Sequence, residues 1–133
     1  MALVNAFYQI REDGTKLVNY QRVLNFHSEI CEVIANYPWE RELKLSIELE
    51  EGSGLVFSIG DMDGIHDSYE FTPVEVDKGV LSLDVVLKPG FLGIFGRKKV
   101  SVDFEVVSIA EAKQHIKQLF EYSIESIYQK YRK

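Results

Sequence analysis

The chain has 133 residues, 46% of them hydrophobic and 27% charged, with a formal net charge of −6. This balance predicts a single globular domain over residues 1–133 and excludes a disordered chain, which would carry fewer apolar residues and more net charge. The apolar runs fall short of the ~20 residues that cross a bilayer, the start lacks a cationic region before an apolar block, and the lone Cys31 allows no internal disulfide, so a cytoplasmic location is expected.

Residues 3–12 can be read in two ways. Val4, Ala6, Tyr8 and Ile10 alternate as in a strand, with Asp13-Gly14 as a hairpin turn. Alternatively, Gly14 ends a short helix and Thr15 caps the next, and the strongly helical character of residues 16–37 favours this second reading. Over that segment, Leu17, Tyr20, Val23, Leu24, Ile30, Cys31, Ile34 and Tyr37 recur with the period of an amphipathic helix, which Pro38 stops.

At Arg41 the pattern changes. In RELKLSIELE, Leu43, Leu45, Ile47 and Leu49 alternate with polar residues, which predicts a strand. Glu51-Gly-Ser-Gly54 turns it into LVFSI, a second strand expected to form an antiparallel hairpin with the first. A polar loop spans 61–67, and a third strand begins at Tyr69 and Phe71, with Pro73 marking an edge or a bulge. LSLDVVL (81–87) and VSVDFEV (100–106) are the fourth and fifth strands. Ser108-Ile-Ala-Glu111 is a capping box, opening a helix whose apolar side runs from Ile109 to Tyr131.

The expected fold is therefore α+β: a five-stranded, mainly antiparallel sheet, with an N-terminal helix and a long C-terminal helix on one face. Glu42, Glu48, Glu50, Asp84, Asp103 and Glu105 are expected on the other face. Charge follows the same division. Residues 1–39 carry −1, residues 40–84 carry −9 and residues 85–133 carry +4. A central acidic block repels nucleic acid and anionic membrane and attracts cationic partners. The simpler role of such carboxylates is to keep a sheet soluble and unpaired.

Candidate chemistry is sparse. In DMDGIHDSYE, Asp61, Asp63, Gly64, Asp67 and Glu70 fall at calcium-loop positions, but the first position would be Ile59 and the flanks read as strands. The loop is better explained as a turn built from Asp and Gly. His27 and Cys31 are four apart on a predicted helix, within an apolar stripe where a thiol acts as a small hydrophobe. Glu48, Glu50 and Glu51 read as solvated carboxylates on a strand rather than an acid–base pair across a cleft. No catalytic set, cofactor or metal is expected.

KPGFLGIFGRKK (88–99) sets Phe91, Leu92, Ile94 and Phe95 among glycines, with Arg97, Lys98 and Lys99 behind them. Its apolar residues could fold back as a lid on the core, meet a membrane, or anchor a protein partner.

Tyr37-Pro38-Trp39 leading into LKLSIELEEGSGLVFSI resembles the YezG-like antitoxins over about residues 20–60. The carried-over marks are Trp39 and the turn Gly52–Gly54, both structural. The wider class includes immunity proteins of bacterial polymorphic toxin and contact-dependent growth inhibition systems. The resemblance implies a non-catalytic immunity protein that binds and neutralises a cognate toxin, most simply a basic nuclease, with no nucleic-acid or membrane partner. Glu48, Glu50, Asp61, Asp63 and Asp67 would steer that encounter, and Phe91, Leu92, Ile94 and Phe95 would anchor it. The alternatives are a metal-dependent ligand binder or enzyme using residues 61–67, and a membrane-peripheral adaptor using residues 89–99.

Overall fold

The computed structural model describes residues 3–12, 16–49, 54–61, 63–88 and 98–132. Its strands are β1 (Val4–Glu12), β2 (Lys16–Leu24), β3 (Leu55–Gly60), β4 (His66–Glu75), β5 (Lys78–Lys88) and β6 (Lys98–Ser108). Its helices are α1 (His27–Asn36), α2 (Trp39–Leu49), α3 (Ile109–Ile116), α4 (Gln118–Glu121) and α5 (Ile124–Tyr131). The strands form one six-stranded antiparallel sheet in the order β2-β1-β3-β4-β5-β6. The α+β class and the antiparallel sheet agree with the sequence reading; the strand count and the N-terminal elements do not.

The chain opens with a hairpin instead of a helix. β1 and β2 pair without interruption from Val4↔Leu24 to Glu12↔Lys16. The alternation of Val4, Ala6, Tyr8 and Ile10 is the correct signal, and the helical spacing of Leu17, Tyr20, Val23 and Leu24 is coincidental. Tyr8 and Tyr20 stack across the pair with ring centroids 5.5 Å apart. Only the second half of the expected helix forms, as α1. Glu29 starts it by accepting the Asn25 and Phe26 backbone N–H groups at 2.7 and 3.0 Å.

The segment that reads most plainly as a strand is the helix α2. Its residues are mostly Glu, Leu, Lys and Arg, strong helix formers, with Ile47 its single β-branched residue. Pro38 precedes its first turn, where a missing N–H costs nothing, and Glu40 and Glu42 sit favourably at the positive end of the helix dipole. The alternation leaves a residue on the wrong side: Ile47 is 79% exposed. Residues 41–49 therefore do not form the expected hairpin with β3, which pairs instead with β1 and β4.

Core residues lie on one sheet face. Val4 and Ala6 of β1, Leu55, Phe57 and Ile59 of β3, Tyr69 and Phe71 of β4, and Leu81, Leu83 and Val85 of β5 are buried. They meet Ile30, Val33 and Ile34 of α1, Trp39 of α2, Ala112 and Ile116 of α3, Leu119 of α4 and Ile127 of α5. Each Val, Leu, Ile or Phe side chain withdrawn from water here contributes roughly 1.5–3 kcal/mol. Trp39 packs edge-on against Phe71 at 5.5 Å and donates its indole N–H to the Ile34 carbonyl at 2.8 Å.

Pro73 sits where β4 outruns β3 and the β4–β5 register shifts, as a strand proline requires. The capping box forms as read: the Ser108 hydroxyl accepts the Glu111 N–H at 3.1 Å, and the Glu111 carboxylate accepts the Ser108 N–H at 3.3 Å. The long C-terminal helix, however, is divided into α3, α4 and α5. Ser123 restarts the last of these by accepting the Ser126 N–H at 3.1 Å.

Candidate binding face

Strand alternation assigns the other residues of the sheet to a second face. Phe7, Gln9 and Asn5 of β1, Asn19, Gln21 and Val23 of β2, and Val56 and Ser58 of β3 share it with Ser68, Glu70 and Thr72 of β4. Ser82 and Asp84 of β5 and Ser101 and Asp103 of β6 complete it. Asn19, Gln21, Glu70, Ser101 and Asp103 are exposed and Phe7 and Val56 half-buried, whereas Ser58 and Val86 are buried.

The cross-strand neighbours Phe7↔Gln21, Phe7↔Val56 and Val56↔Glu70 line a groove of about 610 Å³. Gln9, Asn19 and Thr72 border it, and Gln9 Nε2 donates to Asn19 Oδ1 at 3.0 Å. The floor is apolar and the rim consists of amides, a hydroxyl and one carboxylate. That mixture offers hydrophobic contact with adaptable hydrogen bonds. Further along the same face, Asp84 accepts the Ser101 hydroxyl and lies 3.8 Å from Lys99 Nζ.

The carboxylates singled out from the sequence are not gathered on this face. Glu42 is buried on α2, 3.1 Å from Arg11 Nη1. Glu48 is exposed, but on the helix α2. Asp61 and Asp63 are exposed in the β3–β4 turn, where Asp61 Oδ1 accepts the Asp63 N–H at 3.0 Å and the Asp61 carbonyl accepts the Gly64 N–H at 2.8 Å. Glu105 is exposed at a bulge in β6. Glu50, Phe91, Leu92, Ile94 and Phe95 lie outside the described residues. Asp84 and Asp103 fall where expected, and Glu70, considered in the sequence only as a calcium-loop position, joins them. Its alternation with Tyr69 and Phe71 is the signal that could have found it.

Asp67 departs furthest from expectation. It is fully buried on the core face, paired across the ladders with Ile59 and Val85, so it cannot meet a partner's cation. Neither carboxylate oxygen has a hydrogen-bond partner among the described residues. Burial pushes its pKa up to about 7. Next along that face, Tyr69 is also raised, chiefly by burial and further by Tyr131 and Asp67.

Divergence of Asp67 and Glu70 onto opposite sheet faces also removes the calcium-loop geometry, since a cation needs its oxygens to converge. Among the described residues, no group of three or more His, Cys, Asp or Glu side chains is placed to hold a metal. His27 uses its ring to join helices, donating Nε2–H to the Lys113 carbonyl at 2.9 Å, and Cys31 is half-buried nearby on α1. No described helix is long and apolar enough to cross a membrane.

No protein-family model, curated protein or solved structure matches this chain.

Proposed function

We propose that the protein is a non-catalytic binding protein of the cytoplasm that neutralises a basic protein toxin, most simply a nuclease, and that the second sheet face receives it. The groove floored by Phe7 and Val56 and rimmed by Gln9, Gln21 and Glu70 carries this reading. Aromatic anchors flanked by amides suit a protein surface. Glu70, Asp84 and Asp103 give the same face carboxylates that favour a cationic partner, and the chain's net charge of −6 speeds its approach. The resemblance of residues 20–60 to the YezG-like antitoxins supports the same class. Of the residues first assigned to contact, exposed Glu48, Asp61 and Asp63 contribute long-range attraction.

The test is co-production in bacteria with basic toxin domains, nucleases first, from the organism that encodes the protein. Wild-type protein should restore growth. Phe7→Ala, which removes the apolar floor, and Glu70→Lys, which reverses the rim charge, should each weaken protection. Phe7→Ala should reduce binding by about 2 kcal/mol, the scale of a central anchor. Undiminished protection by both folded variants would place the contact elsewhere.

A further inference from the structure

The sheet has two outer strands, and they are built differently. β6 carries the devices that discourage edge pairing. Its register against β5 shifts at two places, between Leu81 and Ser82 and between Val86 and Lys88. Glu105 sits at the first shift with φ +61°, its N–H held by the Asp103 carboxylate at 2.8 Å. Lysines 98 and 99 head the strand.

β2 has neither a register shift nor a strained residue, although Lys16 heads it. It runs nine residues, KLVNYQRVL, in unbroken register with β1, without proline or glycine. No described strand pairs with its outer side, so alternate backbone N–H and C=O groups point away from the sheet. An extended backbone is the complementary chemistry.

The side chains indicate which one. A two-fold axis centred on a residue places each residue opposite one that faces the same side of the sheet and directs its backbone groups the same way. Centred on Tyr20, the strand is self-complementary. Asn19 meets Gln21, amide against amide. Leu17 meets Val23, which is 48% exposed in the single chain. Val18 meets Arg22, and Lys16 meets Leu24. No like charges stand opposite each other, the arrangement that would oppose pairing. Arg22 is in addition neutralised from within its own chain, by Glu29 at 3.3 Å and Glu32 at 3.4 Å.

We propose that β2 pairs antiparallel with β2 of a second copy of this chain, in the register centred on Tyr20. The two sheets then become one continuous sheet, with a groove of the second face on each side of the axis. The pairing depends on the edge alone and holds whether or not those grooves receive a toxin.

Light scattering across a dilution series tests it, on wild-type protein and two double variants of exposed residues. Asn19→Lys/Gln21→Lys sets lysine opposite lysine at both positions beside the axis; Asn19→Lys/Gln21→Glu sets lysine opposite glutamate. Wild type should reach twice the mass of one chain, the first variant should stay at one chain throughout, and the second should recover the doubled mass. A wild-type chain that remains single at the highest concentration overturns the proposal. So does a dimer that the Lys/Lys variant leaves intact, or one lost from both variants while their thermal melts match wild type. Should either variant misfold, hydrogen exchange of the wild type decides. Amides of Lys16–Leu24 that exchange more slowly at high concentration support the pairing, and unchanged exchange rates overturn it.

Discussion

Glu42 joins α2 to the end of β1 through both of its carboxylate oxygens: Oε1 lies 3.1 Å from Arg11 Nη1, and Oε2 accepts the Arg11 backbone N–H at 3.2 Å. Arg41 donates to the Arg11 carbonyl at 3.0 Å. Pairing between β1 and β3 ends at Tyr8↔Leu55, so at Arg11 a helix supplies the donor and acceptor that a neighbouring strand would have given. Both members of the ion pair are buried. Removing one partner leaves the other's charge out of water, so Glu42→Ala should cost about 3–5 kcal/mol. The double replacement Arg11→Met/Glu42→Leu should cost less than Glu42→Ala alone. Urea unfolding of the single and double variants measures both.

Asp67 makes stability depend on pH. Its folded pKa of about 7 lies above the ordinary aspartate value near 3.8. Between these two values the folded chain keeps a proton that the unfolded chain releases. Stability is therefore highest below the lower value, falls as pH rises toward 7, and is level above it. The span corresponds to about 4 kcal/mol. Asp67→Asn should remove most of this dependence, so that the variant gains on wild type at pH 8 relative to pH 5. Denaturant midpoints at the two pH values test this, and an unchanged difference would show that another group is responsible.

At the β6 bulge, Glu105 adopts φ +61°, a conformation that a side chain bearing Cβ resists. Glycine has no such penalty, and Glu105→Gly should stabilise the protein by about 0.5–1 kcal/mol, visible as a higher melting temperature. A lower melting temperature would mean that the glutamate side chain contributes more than the backbone conformation costs.

Gly79 has the opposite sensitivity. A Cβ there would stand 2.6 Å from Phe71 Cε1 and 2.7 Å from the Thr72 carbonyl oxygen. Phe71 is buried against Trp39, so its ring has little room to withdraw. Gly79→Ala should destabilise by roughly 1–3 kcal/mol, the range of overpacked cores. Gly54→Ala, whose Cβ would come no closer than 3.5 Å to the described residues outside its chain neighbours, serves as the control in the same melt.

The later part of the sheet is legible in the sequence because its signals agree. In β3 to β6 the apolar alternation, the β-branched residues and the turn residues all favour strands, and Ser108 with Glu111 marks the next helix at its correct start. Signals conflict in the first half. Residues 41–49 alternate like a strand but are made of helix formers, and composition together with Pro38 prevails over periodicity. Residues 16–24 have helical spacing, yet Val18, Tyr20 and Val23 suit a strand, and pairing with β1 decides the outcome. The binding face is legible only in part. Asp84 and Asp103 follow from alternation alone. The groove requires β1 to lie beside β3, a long-range pairing that no local pattern encodes. Asp67 is misplaced because a carboxylate in DMDGIHD reads as solvated, while its strand position turns it inward beside Tyr69 and Phe71.

The central claim is that a cationic protein binds the second sheet face. Titration calorimetry of a basic toxin domain identified by the co-production screen, against wild type, Phe7→Ala and Glu70→Lys at low and high salt, reads this contact. The expected results are a wild-type complex that salt weakens, a loss of affinity for Phe7→Ala at both salt concentrations, and a shallower salt dependence for Glu70→Lys. Equal affinities for all three folded proteins would contradict it.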